Sequence, residues 1–160
     1  MSFYKPEKLP KLMVAPNGAR KVKKDHPAVP LTISETVETA KSCYKAGAGA
    51  IHLYVRDKEG QHVLDAGLYK EALNELEHQV PNMHIQVTTE AVGKYSPADM
   101  RKLAYDVTPP GASIGTSELI PSRNPDNEDI KLYKYLTEAG TRIQHILYQP
   151  EDIDLLINLL

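Results

Sequence analysis

Ala50-Ile51-His52-Leu53-Tyr54-Val55-Arg56-Asp57 is an apolar, β-type run inside a chain of 160 residues. Gly47-Ala48-Gly49 closes a helical pattern just before it, and Asp57-Lys58-Glu59-Gly60 turns the chain just after it. A short apolar run bounded by glycine and turn residues is how a buried parallel strand reads. Along it His52, Tyr54 and Arg56 alternate onto one face. Three polar, chemically capable side chains sharing a face of such a strand point to a site. The competing reading of His52 is a core histidine satisfied by its neighbours.

Outward from this run, strand and helix alternate with a period of about 30 residues. Leu12 to Pro16 reads as a first strand, followed by a long loop from Asn17 to Leu31. Thr32 and Glu35 form a Thr-x-x-Glu capping box, and the helix they open runs through Val37, Ala40 and Tyr44 to the Gly47 stop. Ala66 to Gln79 carries Leu68, Ala72, Leu73 and Leu76 at helical spacing, and Pro81-Asn82 separates it from a strand over His84 to Thr88. Ser96-Pro97 opens a third helix, and Ala112 to Ile114 is a short fourth strand. Asp126 to Ala139 is a helix closed by Gly140, Ile143 to Tyr148 is a fifth strand, and Pro150-Glu151-Asp152 starts a last helix.

Five β/α units in succession predict a parallel sheet with right-handed crossovers. Two architectures use them. A doubly wound domain with strand order 2-1-3-4-5 is complete at this length, whereas a (β/α)₈ barrel needs about 250 residues and keeps its strands in consecutive order. The final run Ile153-Asp154-Leu155-Leu156-Ile157-Asn158-Leu159-Leu160 has no polar tail and no C-cap. It reads as a longer chain interrupted, so residues 1–160 are expected to be one α/β domain of the TIM-barrel type, covering about its first five units.

With 41% hydrophobic and 25% charged residues, the chain has the composition of a globular protein that buries a core. A formal charge of −2 gives no electrostatic footprint for nucleic acid, and no apolar run is long enough to span a membrane. The N-terminus, Met1 to Lys8, has no secretory apolar core, and a single cysteine, Cys43, forms no internal disulfide; a cytoplasmic location is expected. Cys43 sits in a helical pattern and reads as a small buried hydrophobe rather than a nucleophile. There is no glycine-rich phosphate loop, Gly-x-Ser-x-Gly elbow or Cys-x-x-Cys pair.

Four segments taken together, Asn17-Gly18-Ala19-Arg20, Asp25-His26-Pro27-Ala28-Val29-Pro30-Leu31-Thr32, Ala46-Gly47-Ala48 and His52-Leu53-Tyr54-Val55-Arg56-Asp57, closely resemble the β-keto acid cleavage enzymes. Their type member is 3-keto-5-aminohexanoate cleavage enzyme, and order and spacing match from about Leu12 to about Pro150. The resemblance implies a zinc-dependent (β/α)₈ barrel, usually a homo-oligomer. Its reaction is of retro-Claisen type: a β-keto acid and acetyl-CoA give acetoacetate and a new acyl-CoA.

Carried over residue by residue, the resemblance puts His52 at the first of two metal-binding histidines on the second strand, and Tyr54 at the second. Imidazole suits zinc, which must keep a position open for substrate oxygen. Arg56 falls at an arginine able to orient an acidic loop or a carboxylate, and Thr88 at a Ser or Thr able to bond a carboxylate or oxyanion; these two are the implied catalytic positions. Asn17, Thr88, Thr89 and Glu90 are the implied substrate contacts. Three positions depart from the pattern. Tyr54 replaces a histidine and is a poorer zinc ligand, Glu90 stands where glycine is usual, and Gln144 where a glutamate is frequent. The family's last metal glutamate and its acid/base aspartate lie in a final third that these 160 residues do not reach. These departures motivate an alternative, a barrel relative with a degraded metal site that acts in binding or assembly.

Among the other histidines, His26 reads equally as substrate-facing or as a packing element of its loop, His62 and His78 as solvated, and His84 and His145 as core or rim. The basic cluster Arg20-Lys21-Val22-Lys23-Lys24 reads as a solvated loop, with CoA phosphates as the functional alternative.

Overall fold

The computed structural model of the protein describes residues 8–160; the N-terminal stretch read for a secretory core lies, but for Lys8, outside the described residues. Strands β1 (Met13–Val14), β2 (Ala50–Leu53), β3 (His84–Thr88), β4 (Gly111–Gly115) and β5 (Arg142–Ile146) form a single sheet. Every pairing is parallel, and the strand order is β1-β2-β3-β4-β5. Consecutive order is that of a barrel-type arc and removes the doubly wound order 2-1-3-4-5.

Local chemistry sets the helices. In α1 (Ile33–Lys45) the Thr32 hydroxyl accepts the Glu35 N–H and the Glu35 carboxylate accepts the Thr32 N–H, so the expected capping box is formed. Helix α2 (Ala66–Gln79) starts on Asp65, whose carboxylate accepts the Leu68 N–H. Helix α3 (Pro97–Val107) is capped by Ser96. A single turn, α4 (Thr116–Leu119), follows β4 directly and had no signal in the sequence reading. Helix α5 (Asn127–Glu138) is capped by Asp126, and α6 (Glu151–Leu159) follows Pro150.

The sheet's two faces differ. Ile51, Leu53, Val55, Ile85 and Val87 pack with Val37, Ala40, Tyr69 and Leu76 of α1 and α2. Ala112 and Ile114 pack with Met100, Ala104, Leu132 and Leu136 of α3 and α5, joined by Leu155 of α6. Alternation along the strands therefore sends His52, Gln86, Thr88, Ser113 and Gln144 to the opposite, concave face. Helices cover one side of the arc, and the other side carries polar groups.

Candidate active site

Strand register brings the concave polar residues into rows. His52 lies beside Gln86, Thr88 beside Ser113, and Ser113 beside Gln144. His52 Nδ1 and Gln86 Oε1 are 2.6 Å apart, and Gln86 Nε2 donates to Gln144 Oε1 at 2.8 Å. The Gln86 carbonyl oxygen accepts only, so Nδ1 carries the imidazole proton and Nε2 keeps its lone pair. Burial holds the His52 pKa below its ordinary value, against the raising effect of the Gln86 bond and the Glu90 charge.

Just past the strand ends, Tyr54, Thr88, Glu90, Ser113, Gly115, Glu118, Ile146 and Tyr148 line a cavity of about 200 Å³. It lies at the C-terminal ends of the strands, where barrel enzymes do chemistry. A larger hollow of about 510 Å³ lies at the opposite ends, among Lys8, Gly49, His84 and Arg142. In the smaller cavity the Tyr54 O–H donates to Glu90 Oε2 at 2.7 Å, and the Tyr54 ring lies edge-on to His52 with centroids 5.0 Å apart. Burial, then the bond to Glu90 and that carboxylate's charge, push the Tyr54 phenol above its ordinary range. Thr88 Oγ1 accepts the Glu90 N–H at 3.1 Å. Arg20 reaches Glu90 from the solvent side at 3.6 Å.

Glu118, on α4, completes the cavity with Tyr148, whose O–H donates to Glu118 Oε2 at 3.4 Å. Burial, and then the Glu90 charge, push the Glu118 carboxyl up. Gly115 lies beneath them: a Cβ there would stand 2.6 Å from Glu118 Oε2 and 3.1 Å from the Tyr148 ring, so these two side-chain ends would have to shift. The Ser113 hydroxyl, on a residue only 2% exposed, has no hydrogen-bond partner among the described residues. The loop that carries Glu90 is held in a costly conformation, with Val92, a β-branched residue, at φ +48°.

Of the expected site residues, His52, Tyr54, Thr88 and Glu90 come together. Arg56, Asn17 and Thr89 face elsewhere. The Arg56 guanidinium donates to the carbonyls of Gly18 (2.6 Å), Lys21 (3.0 Å) and Gly60 (3.0 Å), so it ties two loops to the end of β2. Asn17 Nδ2 donates to the Pro30 and Tyr54 carbonyls, and Thr89 bonds the Ser113 carbonyl through both N–H and O–H. His62 corrects an expectation: it is 4% exposed rather than solvated, bonds the Glu90 carbonyl through Nε2 at 2.9 Å and lies against Tyr54 at 5.3 Å. It follows a turn whose folding back no local pattern announces, as an isolated bridge between Arg56 and His62. His145 stacks on Tyr133 of α5, on the helix side and away from His52. Cys43, expected to be buried, is partly buried and packs against the core. Ser113, Glu118 and Tyr148 were not singled out; the only available signal was Ser113's alternation within its strand.

Zinc takes three protein donors and an open position in catalytic sites. His52 is oriented as a ligand would be, its Nδ1–H fixed by an outer partner. Tyr54 is not, because its oxygen is engaged as a donor to Glu90. Among the described residues no group of three or more His, Cys, Asp or Glu could hold a metal ion. The donors present therefore do not fit a zinc site by themselves. No helix among the described residues is long and apolar enough to cross a membrane.

Residues 11–160 match the family model of the beta-keto acid cleavage enzymes. The 3-keto-5-aminohexanoate cleavage enzyme of Acetoanaerobium sticklandii is 29% identical over 148 residues, 89% of this chain and 54% of that protein. The enzyme of the same name from Fusobacterium nucleatum is 29% identical over 143 residues, 86% of this chain and 52% of its own length. A 3-oxoadipate:acetyl-CoA acetyltransferase of Cupriavidus necator is 31% identical over 117 residues, 72% of this chain and 40% of that protein. The chain spans about half the length of the curated relatives it matches.

Proposed function

The chain belongs to the β-keto acid cleavage enzyme family, and on that premise we propose that the protein transfers an acyl group between a β-keto acid and acetyl-CoA, yielding acetoacetate and a new acyl-CoA. The observation that carries this reading is the hydroxyl-rich cavity at the C-terminal ends of β2 to β4. An acetyl-CoA acetyltransferase among the relatives supports the co-substrate. Thr88, with Ser113 beside it, is the group assigned to an oxygen of the β-keto acid, and Glu90 and Tyr54 to positioning it. Arg56 serves the reaction by holding the loops around the site, since three of its N–H donors are already engaged by carbonyls. No step is assigned to zinc, which the donors present do not fit. Homo-oligomeric assembly and a cytoplasmic location belong to the same reading.

The test is acetoacetate formation from acetyl-CoA and a panel of β-keto acids, measured on the full-length protein and on Thr88→Val. Turnover in the wild type that falls about 10²- to 10³-fold in the variant is the expected result, the usual cost of one oxyanion donor. Absence of acetoacetate with every substrate overturns it. That outcome would favour the second reading, a barrel relative that binds without turnover, which the engaged Tyr54–Glu90 pair supports.

A further inference from the structure

We propose that a single side chain, Tyr54, denies this protein a zinc ion at His52, and that the concave site is a hydrogen-bonded one in which Tyr54 and Glu90 satisfy each other. His52 by itself is well prepared to bind a cation. Gln86 holds Nδ1 at 2.6 Å and is held in turn by Gln144, so the ring is fixed in orientation and tautomer with Nε2 as the lone-pair nitrogen. The next residue on the same face is where a second donor would have to stand. Tyr54 fills that place with a ring, edge-on to both His52 and His62, and its one oxygen faces Glu90 at 2.7 Å as a donor.

That bond removes two potential ligands at once, the phenol oxygen and the carboxylate oxygen that accepts from it. Glu90 is further held by its own N–H on Thr88 and by Arg20 outside, so the carboxylate rests in a charge-matched position without a metal. His62 supplies at most one further nitrogen, Nδ1, since its Nε2 is engaged by the Glu90 carbonyl, and no group of three His, Cys, Asp or Glu that could hold a metal forms among the described residues. Tyr54→His would reverse the loss at position 54 and the loss at the Glu90 carboxylate. It puts an imidazole next to His52 on the same face and frees the Glu90 carboxylate beside both, giving two nitrogens and a carboxylate, a donor set that catalytic zinc uses.

The proposal rests on the acyl-transfer reading only for why a metal would be expected, and metal content is counted without turnover. A zinc-free but inactive wild type therefore defeats that reading and leaves this one standing. Zinc per chain is measured by elemental analysis after equilibration with zinc and desalting, and affinity by competition with a chromophoric chelator. The full-length wild type, Tyr54→Phe, Tyr54→His and the double variant His52→Ala/Tyr54→His are compared, with circular dichroism as the check on folding. Tyr54→Phe keeps the ring and removes only the hydroxyl.

The expected result is far less than one zinc per chain in the wild type and in Tyr54→Phe. In Tyr54→His about one zinc per chain is expected, bound more than about 100-fold tighter, beyond what outer-shell partners alone contribute, and lost again in the double variant. About one zinc per chain in the wild type overturns the proposal. So does a folded Tyr54→His variant that takes up no zinc, because the tyrosine would then not be what excludes the metal.

Discussion

Arg56 shows how a residue on the correct strand can do different work from the one its position suggests. It is 7% exposed, and its charge is spent on three backbone carbonyls of two loops. Arg56→Met keeps much of the apolar stem and leaves those carbonyls without their donor. Charge-assisted hydrogen bonds are worth about 1.5–3 kcal/mol each and do not add fully, so a loss of about 2–4 kcal/mol is expected in chemical denaturation. A loss under about 0.5 kcal/mol would show that the loops hold themselves. The reading of the 50–57 run got the shared face of His52 and Tyr54 right, because strand alternation is a local rule. It could not see that Arg56 lies past the end of β2, where the chain turns back to pair with His62. Glu118 was equally hidden, since its place depends on a one-turn helix and on Gly115 beneath it.

At the scale of elements, what the sequence made legible was what short-range chemistry decides. The bounds of α2 and β3 coincide with the expected ones, and β1, β2 and β5 are shorter than expected; β5 ends where β4 does, at Gly115↔Ile146, whereas β1 and β2 leave the ladder before their neighbours end. In α2 the fully buried residue that opens the stripe is Tyr69 rather than the expected Leu68: 69, 72, 73 and 76 follow helical spacing, and the polar handle of a tyrosine hid it among the apolar residues. The α1 capping box is both legible and testable. Lys23, 2.7 Å away, and the N–H groups of Leu31 and Thr32 all favour the Glu35 carboxylate, which lowers its pKa from 4.5 to about 2. A depressed carboxylate stabilises the fold above its unfolded pKa, and that stability is lost as pH falls through the folded one. The wild type should therefore lose more stability than Glu35→Gln between about pH 4.5 and 2. Parallel urea midpoints across that window would refute the assignment.

At the scale of the whole molecule, the arc has two unpaired edges among the described residues, where β1 pairs only with β2 and β5 only with β4. Edge backbone that is left unpaired recruits other chains. Apolar side chains accompany both edges: Leu9 and Leu12 lie exposed beside β1, and Leu147 follows β5. On α6, Ile153 and Ile157 are 52% and 67% exposed, while Leu155 on the other face of the same helix is buried. An amphipathic helix with apolar residues on its outer face as well lacks a neighbour on that side. The 160-residue chain expressed alone should consequently associate at micromolar concentration, to be followed by size-exclusion chromatography with light scattering. Ile153→Lys with Ile157→Lys should reduce that association without disturbing the helix-side core, which neither residue enters. A monomer in the unsubstituted chain would mean that the strand edges protect themselves. Association unchanged in the double variant would move its cause from α6 to the backbone of β1 and β5.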